Sequence, residues 1–344
     1  MQQLQNTSII GSSGSLDPTF NLSLANHPIE INILSNGNTI ISGQNVLTNL
    51  YDSNFNNLAS LIRGVNIYAP IDDTIYSADF INANQYIVAS TNNWTSINGG
   101  TINPPYSAYI NSGFTFSSNG ITYTSTPKKI RNSSTLGIVA CGIFGIKCTN
   151  GSHSNTLGGS TAYDFAIQSD NNIVIAYGNG VTRLTSTLAT DTTFTNYTGN
   201  TTMSCIGLQS TGKIIATNNT GALVRLNSDG TVDSTFNSGG SGITNYHSNS
   251  IRFKIQSDDK IVLVGDFDTY NGQNVYGIVR LNSNGTIDNT FNTGSGFNPT
   301  TGSSGSYNLP YCINIQSDGK ILVGGAIISY NGTSNLNNIV RIFG

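Results

Sequence analysis

The residues that could do chemistry are few, and most of them repeat. Asp17, Asp52, Asp191, Asp233 and Asp288 each stand three positions before a Phe. Recurring carboxylates suggest calcium, and Asn227-x-Asp229-Gly230 resembles part of a calcium loop. Calcium, however, needs about six to eight oxygens converging on one ion, and the glutamate that closes an EF-hand loop is missing. The competing role is a turn cap: the Asp accepts backbone N–H groups while the Phe packs between neighbouring units. That role is the expectation, with no metal site. Glycoside hydrolysis would need a carboxylate pair. Glu30 is the sole glutamate, and Asp72, Asp73, Asp258, Asp259, Asp266 and Asp268 are among the aspartates outside the repeated phrase or standing in pairs. No Ser-His-Asp order and no phosphate loop accompanies them, so no catalytic residue, no enzyme activity and no cofactor is expected. Cys141, Cys148, Cys205 and Cys312 form no C-x-x-C pair, and His27, His153 and His247 are scattered, which argues against zinc. Buried free thiols are expected, with a Cys141–Cys148 bridge as the alternative.

Binding chemistry is concentrated in two long loops. Residues 93–111 hold the single Trp94 with Tyr106 and Tyr109, and residues 294–311 hold Phe297, Tyr307 and Tyr311, among Asn, Ser and Gly. Aromatic faces beside neutral amides and hydroxyls suit sugar rings. They equally suit a protein interface or a self-packed loop. These six aromatics are the candidate binding residues, and their contact should weaken little as salt rises.

Composition narrows the classes. The 344 residues carry only 14 Lys and Arg and 17 Asp and Glu, against 47 Asn and 38 Gly, for a net charge of −3. So few cations argue against an electrostatic nucleic-acid partner. No apolar run is long enough for a membrane-spanning helix, so no membrane insertion is expected. The opening Met1–Asn6 has neither a basic nor an apolar signal region, so no Sec signal is expected.

These residues sit on a repeated framework. Gln168-Ser169-Asp170, Gln209-Ser210-Thr211, Gln256-Ser257-Asp258 and Gln316-Ser317-Asp318 each lie between apolar runs, which reads as two strands joined by a tight turn. A second phrase, Val279-Arg280-Leu281-Asn282 through Asp288-x-Thr290-Phe291, recurs at Val224–Phe236 and reads as a second hairpin. Fainter first hairpins lie near residues 34, 81 and 131. Seven anchors over 344 residues fit four-stranded propeller blades. The chain stops at Gly344 without its last Asp-x-Thr-Phe strand, and Leu16-Asp17-Pro18-Thr19-Phe20 supplies one at the start. The expectation is one all-β domain spanning 1–344, a seven-bladed β-propeller of four-stranded antiparallel blades. Its ring is closed by the N-terminal strand, and insertions fall at about 93–111 and 294–311.

The phrases Gln-Ser-Asp-Gly-Lys-Ile at 316–321, Val-Arg-Leu-Asn at 279–282 and Asp-x-Thr-Phe-Asn at 288–292 resemble the delta-60 repeat, a β-propeller repeat of bacterial and phage proteins. The resemblance is specific over 162–344 and at 15–21. It implies a propeller and a structural or surface-binding role, with no shared catalytic site. The expected function is a non-enzymatic virion component, such as a phage tail, head-fibre or decoration protein, assembled in the host cytoplasm. Its partners would be other virion proteins or a host surface glycan or protein. The alternatives are a bacterial cell-surface adhesion propeller and a glycan-active enzyme.

Overall fold

The computed structural model describes residues 11–24, 27–33, 39–43, 46–51, 55, 57–60, 75–82, 85–90, 114–116, 121–123, 127–148, 150, 153–199, 202–218, 220–246, 251–297 and 308–344. Valine, isoleucine and threonine runs form antiparallel hairpins because β-branched side chains fit a pleated surface better than a helix. Each first-hairpin turn needs one residue in the left-handed region, three positions after the Gln. Asn171, Gly212, Asp259 and Gly319 fill it, with φ between 64° and 84°. The repeated Gln-Ser phrase is therefore a turn signal.

Small antiparallel sheets follow one another along the chain. Their first strands are Pro28–Ile33, Ile75–Asn82, Pro127–Ser133, Ala162–Ile167, Met203–Leu208, Arg252–Ile255 and Leu309–Ile315. Each of these strands packs on the next in that order, and Leu309–Ile315 packs back on Pro28–Ile33. The core lies between neighbouring sheets. Val262, Val264 and Ile278 of one sheet meet Ile313, Ile321 and Val323 of the next, all essentially inaccessible to water. Ile31 and Ile41 likewise meet Leu322 and Ile339. Among the described residues no helix is long and apolar enough to cross a membrane.

Four-stranded sheets occur at Pro28–Ser60 and at Pro127–Asn155. In three further sheets the fourth strand shrinks to one bridge: Leu184–Thr190, Leu226–Val232 and Leu281–Ile287. The reason is local. The Asp side chain turns back to bond its own turn and an Arg of the third strand, so side-chain bonds replace the ladder. Two small additions were not legible in the sequence. Phe267–Tyr270 and Gln273–Asn274 join Ile243–Tyr246 in a separate sheet, and Ser329–Tyr330 pairs with Thr333–Ser334.

The N-terminal segment docks on the last sheet. Leu16 bridges Ile342, Asp17 N–H donates to the Arg341 carbonyl at 2.8 Å, and Phe343 N–H donates to the Ser15 carbonyl at 2.9 Å. Gly14 has φ 91°, matching Gly230 at 89° and Gly285 at 88°, each three residues before the repeat Asp. The Tyr330 hydroxyl donates to the Gly14 carbonyl at 2.6 Å, as the Tyr270 hydroxyl does to Gly285 at 2.7 Å.

Candidate functional site

Trp94, Tyr106, Tyr109 and Tyr307 lie outside the described residues, as do Asp52, Asp72 and Asp73. The structure corrects the reading of Phe297 as a contact residue. Its ring is 2% exposed and stacks at a tilt on Tyr330, with centroids 4.8 Å apart. An aromatic flanked by Gly296 reads as loop surface, yet the Gly lets the backbone drop close to Tyr276 and carries the ring into the core. Tyr311 is not on a loop either. It lies within the strand Leu309–Ile315 and lines a central cavity.

The repeated aspartates form locks. At Asp288, Oδ1 accepts Thr290 N–H at 3.0 Å and the Thr290 hydroxyl at 2.6 Å, while Oδ2 accepts Arg280 Nε at 2.8 Å. Lys260 Nζ approaches the same Oδ2 at 3.2 Å, and the Arg280 guanidinium lies 4.6 Å from the centroid of the Phe291 ring. The same set recurs at Asp233 with Arg225, Thr235, Lys213 and Phe236. Asp17 repeats it across the chain ends, with Arg341, Thr19, Lys320 and Phe20. Asp191 with Arg183, Thr193 and Phe194 lacks only the lysine. Burial by itself would raise the Asp233 and Asp288 carboxyls, but the Thr and Lys donors and the Arg charge outweigh it and hold both well below the ordinary value of 3.8. These aspartates are structural, and among the described residues no cluster of His, Cys, Asp or Glu could hold a metal ion. All four cysteines are free and buried, so Cys141 and Cys148 are not bridged.

A second set of charges converges where the first strands of the sheets meet. There a cavity of about 510 Å³ is lined by Lys128, Lys129, Arg131, Arg252 and Lys254, with Glu30 and Asp164 as its acidic members among the described residues. Lys129 and Arg131 come from Pro127–Ser133, whereas Arg252 and Lys254 come from Arg252–Ile255, which is not a packing neighbour of that strand. Lys129 Nζ meets Glu30 Oε1 at 3.4 Å. Asp164 is turned into the wall, its oxygens accepting the backbone N–H groups of Phe165 at 2.9 Å and Ile206 at 3.0 Å. Burial, reinforced by the charges of Lys129 and Arg131 and opposed by Glu30 and Cys205, pushes the Lys254 ammonium down from 10.5 to about 8. Tyr163 and Tyr311 also line it, and burial with Asp266 nearby raises the Tyr311 phenol. This cavity is large enough for a small ligand. The sequence points to it only through the cations standing just ahead of the first-hairpin turns, at Lys129, Arg131, Arg252 and Lys254.

Residues 209–236, 256–291 and 316–343 match the family described as domain of unknown function (DUF5122) beta-propeller. The WD40 β-propeller domain of Doa1 superposes with a TM-score of 0.56 at 12% identity, covering 97% of this chain and 96% of that one. This chain is a β-propeller. The propeller also resembles the extracellular domain of the one component system BT4673 from B. thetaiotaomicron, with a TM-score of 0.56 at 14% identity. It covers 94% of this chain and 39% of that one, so the propeller spans well under half of that domain. Virginiamycin B lyase from Staphylococcus aureus gives a TM-score of 0.53 at 12% identity, with 93% and 97% coverage. Identities this low speak for the fold alone. No curated protein matches the propeller.

Proposed function

We propose that this chain is a non-enzymatic structural and binding propeller that serves in a virion, as a tail, head-fibre or decoration component contacting a partner protein or a host surface. The observation that carries the non-enzymatic part is the use of its carboxylates. Asp17, Asp191, Asp233 and Asp288 are each held by an Arg and a Thr, and Glu30 and Asp164, the carboxylates of the central cavity among the described residues, have partners. The same reading takes the scaffold as a closed ring of seven blades, with residues 14–20 as the outer strand of the last one. In its favour, Gly14 and Asp17 reproduce the contacts that Gly285 and Asp288 make within their own blade. A closed ring leaves no open sheet edge, and a neutral surface rich in Asn, Ser and Thr suits work outside a cell. The likeness to a bacterial extracellular domain favours a second reading, a cell-surface adhesion propeller.

The test uses an antibody against the chain on fractions of the source culture. Particles purified on a density gradient are expected to carry the chain at a fixed ratio to their major structural protein. Recovery in the cell-envelope fraction, with none on particles, would overturn the virion role in favour of the surface module.

A further inference from the structure

The wall of the central cavity is built on an irregularity that recurs. Six of the seven first strands carry a β-bulge near their start, where one residue is passed over in the pairing. Where side chains are described, the residue passed over is Lys128, Tyr163, Ser204 or Tyr311. Each of these lines the cavity, and so does the residue that follows it. Consecutive side chains of a regular strand point to opposite faces, so the bulge doubles what each strand presents to the cavity. Two of the four are tyrosines without a structural task. Tyr163 and Tyr311 are half-buried, yet among the described residues neither makes a hydrogen bond or a ring contact. The Tyr270 and Tyr330 hydroxyls, by contrast, donate to glycine carbonyls at 2.7 and 2.6 Å. A tyrosine left without a protein partner keeps its polar tip for water or a ligand. The two stand on Ala162–Ile167 and Leu309–Ile315, with two other first strands between them in the packing order, so they reach the cavity from different sides. The polar groups around them are mixed in kind. Lysines and arginines donate, the Glu30 carboxylate accepts, and the Ser204 hydroxyl does both. Lys129, 3.4 Å from Glu30, keeps protons for a further acceptor. Recognition by such a wall does not turn on net charge, because each hydroxyl of a polyol both donates and accepts.

We propose that the central cavity binds an uncharged saccharide, a single sugar or the end of a short chain. The C–H face of a sugar ring packs on the rings of Tyr163 and Tyr311, and its hydroxyls bond the polar groups of the wall. Tyrosine suits this role because its ring is large and rigid and loses little conformational entropy on contact. The volume of about 510 Å³ falls within the roughly 300–1,000 Å³ of small-ligand sites, which admits a sugar and excludes a folded partner. The inference rests on the binding half of the reading above and not on its virion half, since a propeller on a particle or on a cell envelope could hold the same ligand.

The test is saturation-transfer NMR on the full chain with glucose, galactose, mannose, N-acetylglucosamine, maltose and lactose, each at millimolar concentration. Irradiating the aromatic protons of the protein should carry saturation to the C–H protons of at least one of these sugars, concentrated on one face of its ring. The affinity should change little when KCl rises to about 0.2 M, because no ionic contact is screened. Tyr163→Leu and Tyr311→Leu should each weaken binding about tenfold or more, the scale of losing an aromatic anchor. Tyr163→Phe and Tyr311→Phe keep the ring and should retain most of the saturation transfer. The wild-type spectra and the Phe variants keep the test decisive if a Leu variant fails to fold. Saturation reaching none of the six sugars would overturn the proposal. So would binding that vanishes as salt rises, and so would binding that both folded Leu variants leave unchanged, which would place the contact elsewhere on the propeller. This failure is separate from failure of the virion role, which the particle and envelope fractions report on their own.

Discussion

Replacing Asp288 with Ala should lower the unfolding free energy by about 3–5 kcal/mol, one of the two largest effects expected in this protein. Arg280 and Asp288 are each 5% exposed, so the substitution leaves a buried guanidinium without its carboxylate. It also removes the acceptor of the Thr290 hydroxyl and backbone N–H and the anion beside Lys260. Asp233→Ala should behave alike, with Arg225 at 7% exposure. Asp191→Ala should cost less, about 1–3 kcal/mol, because its lock has no lysine and more contact with water. The pH dependence follows with a definite sign. The folded carboxyls of Asp233 and Asp288 lie below 3.8, so the locks stabilise fully above that value and fail as pH falls below it. Denaturant midpoints should hold from neutral pH to about pH 4 and then drop. In Asp288→Asn the midpoint should already be low at neutral pH, with a shallower acid drop.

Removal of residues 1–21 should be the other large effect. It deletes the Leu16–Ile342 bridge, the Gly14 acceptor of the buried Tyr330 hydroxyl and the carboxylate that neutralises Arg341 and Lys320. The strand Ile339–Ile342 then presents an open edge carrying buried apolar side chains, which invites aggregation. The truncated chain should lose more than about 5 kcal/mol of stability or become insoluble, since it forfeits a whole lock and a strand pairing together. Adding a synthetic peptide of residues 11–21 should restore solubility by strand addition. Asp17→Ala isolates the lock alone and should cost about 3–5 kcal/mol, readable by guanidinium unfolding.

Much of this fold was legible because the repeat is written in turn chemistry. The Gln-Ser phrases mark positions where one residue must enter the left-handed region, and the Asp-x-Thr-Phe phrases mark a capped turn with a ring beneath an arginine. The N-terminal Asp17-Pro18-Thr19-Phe20 could be matched to the last sheet for the same reason. The fourth strands were less regular than the repeat suggested, because side-chain bonds at Asp191, Asp233 and Asp288 do the work of a ladder. The candidate site was hardly legible. Phe297 looked like a surface ring, but its burial depends on packing against Tyr330 from a later segment. The cavity's cations lie about 120 residues apart in sequence, at Lys129 and Arg131 and at Arg252 and Lys254. Only the packing of the first strands on one another brings them together, and no local pattern records it.

The proposed ring requires that the two ends of the chain be locked together. Native-state hydrogen exchange, read by mass spectrometry on the full chain, tests it most directly. A closed ring holds Ile339–Ile342 between Ile321–Ala326 on one side and residues 14–17 on the other. The amides of Asp17 and Phe343, which donate to the Arg341 and Ser15 carbonyls, should then exchange only through global opening, as slowly as those of the central strand Ile261–Val264. Exchange within minutes at Asp17 and Phe343, while Ile261–Val264 stays protected, would mean a frayed edge strand and would contradict the closed ring.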